Sequence, residues 1–368
     1  MSRELVHTPE GVRDVYGRES YERTAISSRI LETMHRFGYE NIMTPAFEFF
    51  DVFAKEISQA SAKDLYKFFD NEGNTLVLRP DFTPSVARCI AKYYMDANDP
   101  VRICYNGNIY INTHRLQGKL REHTQLGAEL MCDDSIHADA EMIAMMIESV
   151  RNTGLKDFIV TLSDADYYMG IVQESGIDDE TEEKLRSLIE GRNFYAASDL
   201  IVTATGNEKY RETIADMQQL HDTKGLLRAA DKVKSDRAKA SVCRLLEIYR
   251  VLSLYGLGDY VSFDLAMLSE YNYYTGVIFR TYTYGVGDAI AKGGRYDSLL
   301  SKFGKDAAAI GFMIDLEYLM SALYSQKIEI NCCKEPEIVE YTDDDFEEKL
   351  KNVQERRAKG EHLLLIHR

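Results

Sequence analysis

Apolar residues recur along this chain at two spacings, helical and alternating, and the switches between them lay out a mixed α and β fold. Ile26, Ile30, Met34 and Phe37 keep a helical period over about 19–37, with Gly38 as the stop. Residues 41–45 read as a short strand closed by Pro45, and Phe47, Phe49, Phe50 and Phe53 follow. Segments 65–68 and 75–78 flank Asp70-Asn71-Glu72-Gly73-Asn74, the pattern of a hairpin. The second strand runs out in Arg79-Pro80-Asp81-Phe82-Thr83-Pro84 and a helix to about Tyr94, with Thr83 suited to cap it and Pro84 to its first turn. Two apolar pieces, 102–105 and 109–111, predict a strand broken at Asn106-Gly107-Asn108. In the strand predicted over 121–130, Gln125, Gly127 and Glu129 share one face.

A strong helix over 137–152 and a buried strand over 158–162 come next. From about 164 to 258 sheet periodicity gives way to charged helical segments (180–188, 209–220 and 238–255), an insertion between two halves of one sheet. Tyr273-Tyr274-Thr275-Gly276-Val277-Ile278-Phe279 then reads as a buried strand carrying two phenols inward, for core packing or for a ligand. It turns at Gly285-Val286-Gly287-Asp288 and is answered by Gly293-Gly294-Arg295-Tyr296-Asp297, where bare backbone lets something approach closely. Residues 308–312 lead into a helix through Leu316, Leu319, Met320 and Leu323, and the tail offers a strand, a helix and a strand.

Length suits two or three domains. No apolar run approaches a membrane span, the N-terminus has no apolar signal core, and the scattered cysteines read as reduced thiols, so a cytoplasmic protein is expected. Sixty acidic against 44 basic residues, a net charge of -16, weighs against a polyanionic partner such as transfer RNA. Lys224, Arg228, Lys232, Lys234, Arg237 and Lys239 form a modest basic run that reads as a solvated helix face.

The paired motifs resemble the histidine-specific signature of histidyl-tRNA synthetases. The first helix and strand are similar to class II motif 1, 121–130 to motif 2 and 308–323 to motif 3. The resemblance covers about 5–165 and 258–324. It implies an α+β fold, a class II aminoacyl-tRNA synthetase-like antiparallel sheet flanked by helices. The expected domains are 1–165 with 258–325, the helical insertion 166–257, and a small βαβ-like unit over 326–368. It also implies a histidine pocket of Asp81, Thr83, Gln125, Glu129, Tyr273 and Tyr274. There Asp81 and Gln125 would meet the ammonium, and Glu129 and Tyr274 the imidazole. A buried Glu is costly unless paired, so an inward Glu129 would argue for a bound partner.

The family's ATP cations are absent. The motif 2 arginine and glutamate positions hold Asn112 and His114, the motif 3 arginine is Tyr318, and the arginine four residues before Tyr-Tyr-Thr-Gly is Ser269. Loss of one transition-state charge partner typically costs ~100- to 1,000-fold in rate. Arg115, Lys119 and Arg121 remain as anion contacts without the required arrangement. The chain accordingly resembles the regulatory subunits of ATP phosphoribosyltransferase. That family implies no catalytic residue, metal or cofactor on this chain. Its implied partners are a short-form catalytic subunit and a second copy in a class II-type homodimer, with histidine as effector in histidine biosynthesis. The alternatives are a working histidyl-tRNA synthetase and a synthetase paralogue that senses histidine or binds transfer RNA.

Overall fold

An eight-stranded sheet organises the computed structural model, which describes residues 6–54, 61–112, 120–217, 221–268, 274–332 and 336–368. Helix α1 (Gly17–Arg36) precedes β1 (Glu40–Asn41), β2 (Phe47–Phe49), α2 (Asp51–Ala54), β3 (Lys67–Phe69), β4 (Thr75–Leu78) and α3 (Thr83–Tyr93). The long strands β5 (Val101–Tyr110) and β6 (Glu122–Met131) lead to α4 (Ile136–Arg151) and β7 (Phe158–Asp164). Six helices follow: α5 (Ala165–Ser175), α6 (Asp179–Glu190), α7 (Phe194–Thr205), α8 (Lys209–Asp216), α9 (Thr223–Lys232) and α10 (Asp236–Leu254). The chain re-enters the sheet at β8 (Val261–Phe263) and continues through β9 (Val277–Thr283), β10 (Ala291–Arg295), β11 (Ala309–Asp315) and α11 (Leu316–Ser325). Last come β12 (Glu337–Tyr341), α12 (Phe346–Ala358) and β13 (Leu363–His367).

The sheet order is β1-β5-β6-β11-β10-β9-β7-β8. Its six central strands pair antiparallel, while β1 and β8 add parallel edges. Helices α5 to α10 are therefore the contents of one long crossover from β7 to β8. A separate three-stranded sheet, β2-β4-β3, carries the predicted hairpin. Asp70 closes that hairpin by accepting the backbone N–H groups of Glu72 and Asn74.

Two compact units divide the chain, Met1–Asp14 with Ile26–Glu329, and Val15–Ala25 with Ile330–Arg368. In the smaller, β12 and β13 pair parallel and α12 buries Val353. Arg356 there bridges Glu337 and Glu361.

Strand β5 runs unbroken through Asn106-Gly107-Asn108, because its whole length is hydrogen-bonded to β6 from Val101↔Met131 to Tyr110↔Glu122. The predicted interruption marks a place where other side chains need room. A Cβ at Gly107 would lie 2.7 Å from Nη2 of Arg79 and 2.8 Å from the Phe82 ring. Strand β9 begins only at Val277, so Tyr274 and Thr275 precede the ladder and bond to the partner motif instead. The Thr275 N–H donates to the Arg295 carbonyl at 2.8 Å, and its Oγ1 accepts from the Asp297 N–H at 2.9 Å.

Helix α4 is apolar nearly all round because the sheet covers one side and α10 another. Ser135 caps it, accepting from the Ala138 N–H at 3.1 Å. From its first turn the fully buried Asp139 receives Arg295 of β10 at 2.6 and 2.9 Å and Arg244 of α10 at 2.6 Å. One carboxylate thus ties sheet, α4 and helical crossover together. Breaking a buried pair by removing one partner typically costs about 3–5 kcal/mol. Asp139→Asn should therefore lower the urea-unfolding free energy by about that amount. A loss within about 0.5 kcal/mol, the size of an ordinary surface change, would show that the two guanidinium groups find other support.

Candidate functional site

The sheet face opposite α4 bears a row of glycines, and each makes space for large side chains. Gly107 admits Arg79 and Phe82, Gly127 admits Tyr105, Gly294 admits the Tyr274 ring, and Gly311 admits the Glu129 carboxylate. At Gly311 an added Cβ would overlap Glu129 Oε2. Register explains the grouping: Tyr105↔Gly127, Gly311↔Glu129 and Gly294↔Gly311 stand side by side on one face. The close approach expected at Gly293-Gly294 is made from within the protein, by the Phe279 and Tyr274 rings.

Glu129 is the centre of this face and is 1% exposed. Thr83 donates to Oε1 at 2.9 Å, Tyr105 to Oε1 at 3.3 Å and Tyr296 to Oε2 at 2.5 Å. Desolvation raises its pKa to about 8, with the Asp81 charge adding to the rise and the three hydroxyls opposing it. An inward Glu129 was expected to require a bound partner; instead the protein's own hydroxyls serve it. Thr83, suited by sequence to cap α3 or to line the pocket, is the first residue of that helix; Phe82 holds the N-cap position without a side-chain cap, and the Thr83 hydroxyl goes to Glu129.

A stack of three groups holds this arrangement from below. The Arg79 guanidinium lies 3.9 Å from the Phe82 ring centroid, and Phe82 stacks on Tyr105 with centroids 4.3 Å apart. Arg79 also donates to the carbonyls of Thr44, Pro45 and Asn108, which fixes the end of β4 against β5.

An open cavity lies over this face, lined by Asp81, Thr83, Tyr274, Lys292, Tyr296 and the segment 311–313. Asp81 turns one oxygen back to the Phe82 N–H at 2.8 Å. Gln125 is buried on the same face as Glu129, and its Oε1 has no hydrogen-bond partner among the described residues. Of the expected pocket residues, Asp81, Thr83, Glu129 and Tyr274 come together, Gln125 stands four residues before Glu129 on β6, and Tyr273 lies outside the described residues. Tyr105, Lys292 and Tyr296, the last named only as part of the Gly-Gly-Arg-Tyr-Asp motif, were not among the expected pocket residues. Tyr105 is visible only through its register with Gly127, whereas Lys292 sits immediately before the Gly-Gly pair.

On the side where the family holds its nucleotide, Arg115, Lys119, His114 and Ser269 lie outside the described residues. Arg121 is described; its N–H donates to the Gly11 carbonyl at 2.7 Å, and its side-chain stem fills the space beside Gly11. The Asn112 N–H donates to the Asp64 carbonyl at 2.8 Å. Tyr318 packs against His123 with ring centroids 5.9 Å apart and planes tilted by 56°. His123 Nδ1 is 2.8 Å from Asp315 Oδ2 and Nε2 is 3.1 Å from the Leu120 carbonyl, two acceptors that an imidazolium satisfies together. Burial opposes that charge, but the hydrogen bond and charge of Asp315 prevail and raise the His123 pKa.

The sequence model of the family described as histidyl-tRNA synthetase matches residues 11–319, and fold and site together define a domain of that class. The ATP phosphoribosyltransferase regulatory subunit of Acetivibrio thermocellus is 38% identical over 325 residues, 88% of this chain and 78% of that protein. The regulatory subunit of Clostridium kluyveri is 33% identical over 358 residues, 96% of this chain and 91% of that one. Among solved structures, an ATP phosphoribosyltransferase regulatory subunit/histidyl-tRNA synthetase from Bacillus halodurans superposes with a TM-score of 0.89 at 29% identity, over 99% of this chain and 93% of that one. A histidyl-tRNA synthetase from Nostoc, 21% identical, shares the fold with a TM-score of 0.82, over 98% of this chain and 86% of that one. The chain belongs to the family of ATP phosphoribosyltransferase regulatory subunits.

The raised pKa of Glu129 has a sign that can be checked. Between its ordinary value of 4.5 and about 8, the folded protein keeps a proton that the unfolded chain has released. Stability from this group is therefore complete below pH 4.5 and is lost as pH rises through about 8. Glu129→Gln cannot titrate, so its stability should fall less steeply across that window in urea unfolding measured at several pH values. Identical slopes in both proteins would assign the titration to another group.

Proposed function

We propose that this chain is the non-catalytic regulatory subunit of an ATP phosphoribosyltransferase. It acts with a separate short-form catalytic subunit at the first step of histidine biosynthesis, and its cavity takes histidine as a feedback effector. The observation that carries the reading is the contrast between the two halves of the site. The amino-acid half keeps an acid for an ammonium, Asp81, and phenols and a carboxyl group that suit an imidazole, Tyr274, Tyr296 and Glu129. The nucleotide half has Tyr318 and His123 against each other where the family stacks adenine. A flat base between two rings needs them parallel and about 7–8 Å apart, twice a van der Waals contact. Rings 5.9 Å apart and tilted by 56° do not offer that slot. Asn112 and Tyr318 also leave the triphosphate without the guanidinium groups that phosphoryl and adenylyl chemistry uses.

We infer a class II-type homodimer through the motif 1 segment, a cytoplasmic setting and no transfer-RNA partner. The basic run supports the last point, since Lys232 pairs with Asp216 and Glu212, and Arg237 with Asp166. For histidine to inhibit, it must bind one quaternary state more tightly than another.

Purified chain mixed with a short-form catalytic subunit should give phosphoribosyl-ATP at a rate that neither reaches alone, and histidine should suppress it. Tyr274→Phe should raise the histidine concentration for half inhibition by about 5- to 30-fold, the effect of a hydrogen bond worth about 1–2 kcal/mol, while assembly stays intact. Unchanged inhibition in that variant would move the effector to another site. The second reading, a working synthetase, predicts histidine-dependent ATP–pyrophosphate exchange. We expect none above background, and a measurable exchange rate would restore that reading.

A further inference from the structure

Strand β11 turns Gly311, Met313 and Asp315 to the face that carries Glu129, each about 7 Å from the next. Register extends each of them into a row across the sheet. The first row is Glu129, Gly311 and Gly294, whose two glycines put no side chain of their own over the floor of the cavity. The second is Gly127, Met313 and Lys292, with the Tyr105 hydroxyl in the space over Gly127. The third holds Gln125 and Asp315, and there Asp315 meets His123 at 2.8 Å, beside Tyr318.

The cavity reaches the first two rows, through Gly311, Met313 and Lys292. Among the described residues its lining includes none of the third, and Gln125, expected in the pocket, lies beyond that limit and is 3% exposed. Met313 is the first β11 side chain on this face past the bare backbone of Gly311. It is only partly buried, so its thioether borders the cavity and is not sunk in the core. A histidine with its ammonium at Asp81 and its imidazole at Tyr274 and Glu129 has one end left, the carboxyl end. To approach the nucleotide half at Asp315 and His123, that end would have to cross the second row.

We propose that Met313 is the end wall of the cavity, a specificity-determining residue that admits a free α-amino acid and refuses one lengthened at its carboxyl end. This rests on the reading of the cavity as a histidine site and adds what limits the length of the ligand. A thioether is unbranched and fills a gap by changing rotamer, so leucine, close to it in volume, should keep the wall, whereas alanine should open it.

The test measures binding of L-histidine and of the dipeptide L-histidyl-glycine by calorimetry, the dipeptide by competition against histidine. Both ligands carry an ammonium, an imidazole and a carboxylate, and they differ in length at the carboxyl end. The full chain is used alone and with the catalytic subunit. Wild type should bind histidine about 5- to 150-fold more tightly than the dipeptide, the usual penalty for crowding a packed site. Met313→Ala should remove most of that preference by strengthening the dipeptide, with histidine within about twofold of wild type because the shorter ligand stops before the wall. Met313→Leu should keep the preference. An undiminished preference in Met313→Ala, or none in wild type, would show that Met313 does not set the length. Equal weakening of both ligands in Met313→Ala would mean that it only supports the pocket. Each of these overturns the assignment while the histidine site stands. If wild type binds no histidine in either state, the reading of the cavity falls and the role of Met313 falls with it.

Discussion

A carboxyl group cut off from water must be satisfied by the protein around it, and the architecture of this domain follows from how Glu129 meets that condition. Its partners come from three elements far apart in sequence: Thr83 at the start of α3, Tyr105 on β5 and Tyr296 at the end of β10. None can be reached unless β6 lies between β5 and β11 and β10 follows, which is the order observed. The glycines opposite are the other half of the same constraint. Gly311 cannot carry a side chain without displacing the carboxyl, and Gly127 cannot without displacing Tyr105. A polar centre of this kind also sets register, because a slip by one residue would turn Glu129 toward α4.

The second buried carboxylate, Asp139, serves a different end. It lies on the opposite side of the sheet and neutralises Arg295 of the Gly-Gly-Arg-Tyr-Asp motif together with Arg244 of the helical crossover. The arginine of that motif is therefore occupied with holding layers together, while the tyrosine beside it faces Glu129. Two adjacent residues point to opposite faces, as the pleat of a strand requires. The motif thus links the helical crossover to the floor of the cavity through one short segment.

The two sides of the site are held by different kinds of contact. At the motif 3 position Tyr318 packs against His123, which is paired in turn with the Asp315 carboxylate. The side around Glu129 is built into the sheet's own hydrogen bonding and packing. Altering it would disturb the fold, whereas the contact of Tyr318 with His123 involves side chains alone.

Much of this was legible in the order of residues. Apolar periodicity placed α1 and the C-terminal strand, helix and strand, while long apolar runs placed α4 and β6, which are buried on more than one side. The motifs around Tyr274 and Gly294 were legible for the same reason: short runs with fixed spacing carry local geometry. What tertiary structure alone decided is how distant groups spend their hydrogen bonds. Thr83 could cap its helix or serve Glu129, and only the distance from α3 to β6 settles it for Glu129. Asn106-Gly107-Asn108 looks like a break until Arg79 and Phe82 are seen to need the space over Gly107. Tyr105 and Lys292 gain their places from strand register, a relation between segments that the spacing within either one does not contain.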